Sequence, residues 1–247
     1  MNILIVHAHP EPSAFTSAMK DVAREALEAA GHAVQVSDLY AEGFDPVGGR
    51  HDFVTVADPQ RFHYQTEQAH ACRHDGFADD LRREQARVAA ADLLLFTFPL
   101  WWGGMPAILK GWFDRVLAYG FAYADGKRYD SGFFRGRRAL LGIATGGTAQ
   151  RFTREGSYGE IVQVLHGAQH CMLEYLGLET APPFVAYAAP RVAPAERLRM
   201  LDEWRERVLA LAGDPDWWAK RAAAGADDLS LAQTAGNVGE GAWTAPA

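Results

Sequence analysis

His7-Ala8-His9-Pro10-Glu11-Pro12-Ser13-Ala14-Phe15 is the stretch on which the fold turns. It follows the apolar run Ile3-Leu4-Ile5-Val6 and leads into a helical pattern that starts near Thr16. A buried strand, a short loop and a helix N-terminus together make an anion site. The first amides of a helix have no internal partner, and the helix dipole adds positive potential. The loop contains no glycine, so it is neither a G-x-G-x-x-G dinucleotide turn nor a G-x-x-x-x-G-K-[ST] phosphate loop. His9 and Ser13 are its candidate side-chain donors to phosphate oxygens. Taken alone, the stretch also fits an ordinary strand-to-helix turn, with His9 as a capping or core histidine.

Outward from this loop, strand and helix patterns alternate, as in a parallel sheet covered on both faces. Strands are expected at residues 2–7, 33–37, 93–98, 139–144 and 183–187, and helices at 16–30, 79–90, 106–118, 161–176 and 194–211. Residues 93–98 and 139–144 are continuous apolar runs, which suits central strands. Residues 41–76 read as a long loop-rich insert. The predicted fold is α/β, a doubly wound five-stranded parallel sheet of order 2-1-3-4-5. One domain should span residues 1–212, followed by a partly ordered tail at 213–247.

The chain has 247 residues and a formal net charge of −7, which argues against nucleic acid and anionic membrane surfaces as main partners. Arg135-Gly136-Arg137-Arg138 is the one dense basic cluster and reads as a solvated turn before a strand. Two cysteines make no disulfide framework and fit a reducing, cytoplasmic compartment. No signal peptide and no spanning segment are expected. His70/His74 and His166/His170 have helical metal-site spacing, but no third ligand joins them, so no metal is expected.

Ligands of open α/β sheets sit beyond the carboxyl ends of the strands. Two more loops leave those ends. Pro99-Leu100-Trp101-Trp102-Gly103-Gly104 offers two tryptophans as a platform for a planar ligand, with glycines that permit close approach. Thr145-Gly146-Gly147-Thr148 offers amides to a developing negative charge. The plainer readings are core aromatics under one turn and a flexible turn at the other. The apolar content of helix 106–118, with Ile108, Leu109, Trp112, Phe113, Val116 and Leu117, exceeds one sheet-facing stripe. It points to a partner subunit, or to burial under the 41–76 insert.

The chain resembles the NAD(P)H:quinone oxidoreductases of the DT-diaphorase type, which have a flavodoxin-like fold. The resemblance rests on Ala8-His9, Phe15, Ala18-Met19-Lys20, Ser37-Asp38-Leu39-Tyr40 and Phe62-His63-Tyr64. It continues through Phe98-Pro99-Leu100-Trp101-Trp102-Gly103, Pro106-Ala107-Ile108-Leu109-Lys110-Gly111-Trp112-Phe113, Phe121-Ala122-Tyr123, Tyr129-Asp130 and Thr145-Gly146-Gly147. It implies a flavodoxin-like sheet holding FAD, with FMN as the alternative, and a ping-pong exchange in which NADH or NADPH donates and a quinone accepts.

By position it assigns His9, Phe15 and Thr16 to the pyrophosphate, and Leu100, Trp101, Trp102, Gly103, Thr145, Gly146 and Gly147 to the flavin ring, with Pro99 and Phe152 also on the cofactor side and Trp102 and Tyr158 also on the substrate side. His63 and Arg197 match the adenosine side. Tyr123 matches an aromatic that a second subunit contributes to the substrate pocket of a homodimer, and Asp125 replaces a second pocket tyrosine. The family's Tyr and His relay positions read Phe152 and Tyr158 here. Phe152 cannot donate a proton, so Tyr158 and the Gly147 amide are the candidate catalytic groups. Other readings are a flavin reductase of azo or nitro compounds, and an ancillary flavoprotein of a membrane transporter.

Overall fold

The computed structural model describes residues 1–217 and Ala219. Six β-strands form one parallel sheet: β1 (Asn2–His7), β2 (Ala33–Asp38), β3 (Leu93–Pro99), β4 (Arg138–Ala144), β5 (Glu179–Thr180) and β6 (Phe184–Ala186). The order is β2-β1-β3-β4-β5, as expected, with the fifth position shared by two short strands. β5 pairs with the start of β4 and β6 with its end. Pro182 and Pro183 separate them, because proline gives no N–H to a ladder.

Alternation along the strands builds a core on each face. Ile3, Ile5, Leu93, Leu95 and Leu140 face helices α1 (Phe15–Ala29) and α7 (Pro194–Ala212), meeting Met19, Leu27, Trp204 and Val208. Leu4, Val6, Leu94, Phe96, Leu141 and Ile143 face α3 (Asp79–Ala90) and α4 (Ala107–Val116). No helix among the described residues is long and apolar enough to cross a membrane.

Four expectations change. Residues 41–76 are not all loop, since α2 (Tyr64–His74) forms there, with the His63 side chain accepting from the Thr66 N–H at its start. The helix expected over 161–176 is broken into α5 (Ile161–Val164), α6 (His166–Ala168), a π-helical turn (Gln169–Leu173) and a 3₁₀ turn (Glu174–Leu176). Three β-branched residues and Gly167 weaken a continuous helix there.

Only the first half of the basic cluster is a surface turn, with Arg135 exposed. Arg137 and Arg138 are buried. Arg138 opens β4, pairs with Glu179 at 2.8 Å and Asp214 at 2.6 Å, and lies under the Trp217 ring. Of the expected tail, residues 213–217 therefore dock on the sheet edge through Asp214 and Trp217, while 218 and 220–247 lie outside the described residues.

Finally, the second apolar face of α4 is covered by its own chain. Phe96 packs on Phe113 and Trp112 from the sheet side. From the other side residues 41–63 close over the helix, and a Cβ on Gly111 would stand 2.2 Å from the Pro46 carbonyl oxygen. The surplus of apolar residues on α4 thus carries no argument for a second subunit.

Candidate active site

The first loop is braced from beneath. His7 is buried, with Nδ1 2.8 Å from Thr97 Oγ1 and Nε2 3.1 Å from Ser17 Oγ. Ser17 Oγ donates to the Glu11 carbonyl at 3.0 Å. With that proton committed, Nε2–H of a neutral ring donates to Ser17 and Nδ1 accepts from Thr97. Burial holds the His7 imidazole down to about 4, against a partial upward pull from Asp38.

Below pH 6.5 the unfolded chain binds a proton at His7 that the folded chain refuses until about pH 4. Stability should therefore fall as pH drops through that window, by about 3 kcal/mol at most. Urea melts at pH 7 and pH 4.5 should show the loss, and it should shrink in His7→Gln. An identical pH dependence in both proteins would remove His7 as the cause.

Above this brace, α1 begins without a cap. Its N-cap is Ala14, no side chain caps the first turn, and no acidic residue lies in it. The Thr16 hydroxyl is buried there and has no partner among the described residues. Open helix amides and an orphaned hydroxyl fit a phosphate group. Ser13, expected to serve the same anion, is already engaged. Its hydroxyl and N–H donate to the Glu11 carboxylate at 2.7 and 2.9 Å, and these bonds hold that carboxyl below the ordinary range. The His9 Nδ1 accepts the Glu11 N–H at 3.0 Å, and its ring leans toward Trp101, 6.0 Å away.

The second loop is a two-residue turn. Trp101 and Gly104 exchange N–H···O bonds of 3.0 and 2.9 Å, with Trp102 (φ +52°) and Gly103 (φ +73°) between them, both left-handed. Tryptophan rarely adopts this conformation, and such strain gathers at functional sites. The two tryptophans of the expected platform therefore take different places in the turn. The turn keeps Trp101 in its paired arm near His9 and sends Trp102 into full exposure at the tip.

The third loop is held on both sides. Thr145 N–H donates to Ala186 O at 3.1 Å, and Ala188 N–H to Gly147 O at 2.8 Å. The Gly147 N–H, expected to face a ligand, donates instead to Thr145 Oγ1 at 3.1 Å. Its missing side chain has a local reason. A Cβ there would stand 2.8 Å from Phe152 and 3.2 Å from Tyr158. Phe152 in turn packs at a tilt against Tyr158 and Tyr187, with ring centroids 5.1 and 5.6 Å away. The half-exposed Tyr158 hydroxyl accepts from Arg151 at 3.2 Å.

The three loops converge at the carboxyl ends of β1, β3 and β4. His9 and Trp101 link the first to the second, and the Pro99–Ala144 pairing links the second to the third. A family profile described as the flavodoxin-like fold matches residues 1–208. The chain is 41% identical over 207 residues to ribosyldihydronicotinamide dehydrogenase [quinone] of Pongo abelii, covering 83% of this chain and 90% of that one. It is 41% identical over 206 residues to NAD(P)H dehydrogenase [quinone] 1 of Cavia porcellus, covering 83% and 75%. The chain belongs to the NAD(P)H:quinone oxidoreductase family.

A crystal structure of a Klebsiella pneumoniae family member described as a quinone reductase candidate superposes with a TM-score of 0.82 at 36% identity, covering 85% of each chain. Within this family the remaining matched positions fall in three places. Arg197, in the first turn of α7, donates to Val192 O at 2.9 Å, and Val192, Met200 and Phe15 share one apolar cluster beside α1. His63 caps α2 on the opposite face of the sheet, where Gln68 of α2 reaches Asp114 O of α4. Tyr123 packs edge-on against Tyr119 and Tyr175, and burial pushes its phenol up. Asp125 is exposed and paired with Arg128 at 3.0 Å. Neither is brought to the three loops by its own chain's packing.

An apolar groove of about 300 Å³ opens beside the second loop, between Phe98, Gly103, Gly104 and Met105 and the broken helix at Leu165 and Met172. The His7–Thr97–Ser17 brace had no signature in the sequence, because its partners are 90 and 10 residues from His7.

Proposed function

We propose that the chain is a flavin-dependent NAD(P)H:quinone oxidoreductase holding one FAD per subunit. The observation that carries this is the orphaned Thr16 hydroxyl at the uncapped start of α1. The first-turn amides and Thr16 would hold the diphosphate. Residues Leu100 to Gly103 and Thr145 to Gly147 would border the ring, where Gly146 has no side chain and almost no neighbour. A bound flavin supplies two-electron exchange, first with the nicotinamide donor and then with the quinone. Arg197, anchored to the Val192 carbonyl next to the cluster that holds Phe15, stands at the position that the family resemblance gives to the adenosine side, which supports FAD over FMN. Phe152 holds Tyr158 in place but donates nothing. Tyr158 is the hydroxyl at the rim available to hydrogen-bond a reduced ring or quinone oxygen.

The purified protein should be yellow, and heat release followed by chromatography should give one FAD per chain. Absence of flavin, with no uptake on reconstitution, would sink the reading. Finding FMN would sink only the choice of FAD.

The active unit is a homodimer. Exposed Trp102 and Val162 flank the apolar groove, and Tyr123 is turned to Tyr175 rather than to its own chain's loops. A second copy seated on the groove would cover the first and bring its own tyrosine to the pocket. Light scattering should give twice the 27.1 kDa chain mass. Mixing inactive Tyr123→Arg and Gly147→Val proteins should restore one working site per mixed dimer. A fully active monomer, or no recovery despite proven exchange, would contradict the shared site.

A further inference from the structure

His7 is a buried titratable group beneath the first loop that no step of the proposed chemistry uses. It is 1% exposed at the end of β1, and its Nε2 lies 3.1 Å from the hydroxyl of Ser17, the third residue of α1. The imidazole is thus one hydroxyl away from the first helical turn, where the buried Thr16 hydroxyl stands without a partner. Burial is the largest influence on the ring and keeps it neutral down to about pH 4. Asp38 at the end of β2 favours a charge on it, while Lys20 on α1 and His9 in the loop oppose one. Asp38 is itself paired with Lys20 at 3.1 Å, β3 supplies the uncharged Thr97, and the Glu11 carboxylate is held by Ser13.

The contacts of the ring suit both protonation states. In the neutral form Nε2–H donates to Ser17 and Nδ1 accepts from the Thr97 hydroxyl. A second proton would arrive at Nδ1, where two acceptors are already in reach, Thr97 Oγ1 at 2.8 Å and the Thr97 carbonyl at 3.1 Å. The Thr97 hydroxyl needs only to turn from donor to acceptor. Nε2–H still donates to Ser17, and Ser17 still donates to the Glu11 carbonyl, so the loop keeps its brace. The charged form therefore lacks no hydrogen-bond partner. It lacks a counter-charge, and the positive end of the α1 dipole disfavours it further. A diphosphate seated on the first turn of α1 would supply that counter-charge and offset the dipole.

We propose that His7 takes up a proton from solvent when the cofactor's diphosphate binds at the start of α1, so that a buried imidazolium forms beneath the bound anion. The uptake presupposes the flavin function proposed above. A nearby opposite charge raises an imidazole by about one unit or more. The cofactor should then bind about three- to tenfold more tightly at pH 4.5 than at pH 7, although the empty protein loses stability over the same range.

The test is calorimetric titration of the deflavinated full chain with FAD at pH 4.5, 5.5 and 7, each in two buffers of different ionisation enthalpy. The difference between buffers counts the protons taken up. About half a proton per FAD is expected at pH 4.5 and almost none at pH 7. Riboflavin, which carries no phosphate, should bring no proton with it. Uptake should vanish in His7→Gln, whose amide can still donate to Ser17, and persist in His9→Gln. Nuclear magnetic resonance of the histidine rings needs no variant: His7 should titrate about one unit higher in the FAD-loaded protein than in the empty one. FAD binding without uptake at pH 4.5, equal uptake with riboflavin, an unmoved His7 titration, or uptake lost in His9→Gln and kept in His7→Gln would each overturn the proposal. A wild type that binds no FAD at any of these pH values would instead overturn the flavin function, and the proposal with it.

Discussion

Replacing Gly147 with valine should leave the chain folded and cut quinone turnover about a hundredfold. The backbone at Gly147 is not left-handed, so valine is not excluded by its φ. The obstacle is the space. The first added carbon would stand 2.8 Å from a Phe152 ring carbon and 3.2 Å from one of Tyr158. Phe152 is itself wedged against Tyr187 and cannot swing away freely. Either both rings shift outward or the loop shifts toward the pocket. In both cases Thr145, Gly146 and Tyr158 lose their mutual placement. A displacement of roughly 1 Å at such a position is enough to cost about a hundredfold in rate. Gly147→Ala adds the same first carbon, 2.8 Å from Phe152, but none of valine's branches, so its turnover should fall between those of wild type and the valine variant. Crowding at a loop should cost about 1–3 kcal/mol of stability, which circular dichroism melts would separate from lost turnover. Wild-type turnover in the valine variant would show that this loop does not border the site.

The sheet was legible in the sequence because its central strands are apolar on both faces, and β3 and β4 permit almost no other reading. The loops at their ends were legible as positions, but their internal bonding was not. A Trp-Trp pair reads as one surface. The structure divides the pair, because a two-residue turn with φ positive at both central positions gives them different roles. Ser13 reads as a phosphate donor, but the Glu11 carboxylate two residues earlier accepts hydrogen bonds from both its N–H and its hydroxyl. The Gly147 amide reads as free, but the Thr145 hydroxyl is within reach. In each case a contact between near neighbours, not visible in the residue types alone, sets the local geometry.

The failures at longer range have a different cause. The apolar surplus of α4 was real, but composition cannot say whether a helix face meets a partner chain or residues 41–63 of its own. Arg137 and Arg138 looked solvated because their partners Glu179 and Asp214 lie far along the chain, as does the Trp217 ring that covers Arg138. The residues that were missed are those placed by tertiary hydrogen bonds rather than by periodicity.

Arg115→Ala should lower the stability of the chain by about 3–5 kcal/mol, the usual cost of stranding a buried charge. Arg115 is 1% exposed and Asp52 fully buried. The guanidinium gives Nε and Nη2 to one Asp52 oxygen at 2.9 and 2.7 Å, and Nη2 also reaches Asp80 at 3.2 Å. Nη1 donates to the Asp45 carbonyl, and the Tyr64 hydroxyl donates to the other Asp52 oxygen. One side chain on α4 therefore ties down both Asp45 and Asp52 of the covering segment. Burial and the facing Asp52 carboxylate together push the Tyr64 phenol up, so Tyr64 cannot supply the missing charge balance by ionising. Without Arg115 the Asp52 carboxylate would keep only neutral donors and a half-exposed His51. The double variant Arg115→Met with Asp52→Asn should recover much of the loss, because no charge is then left unmatched. Urea melts measure both variants. Limited proteolysis should show residues 41–63 cut first in Arg115→Ala, ahead of the sheet. A single-variant loss below about 1 kcal/mol, or a double variant no better than the single, would show that packing around Pro46 and Phe53 holds the segment without the ion pair.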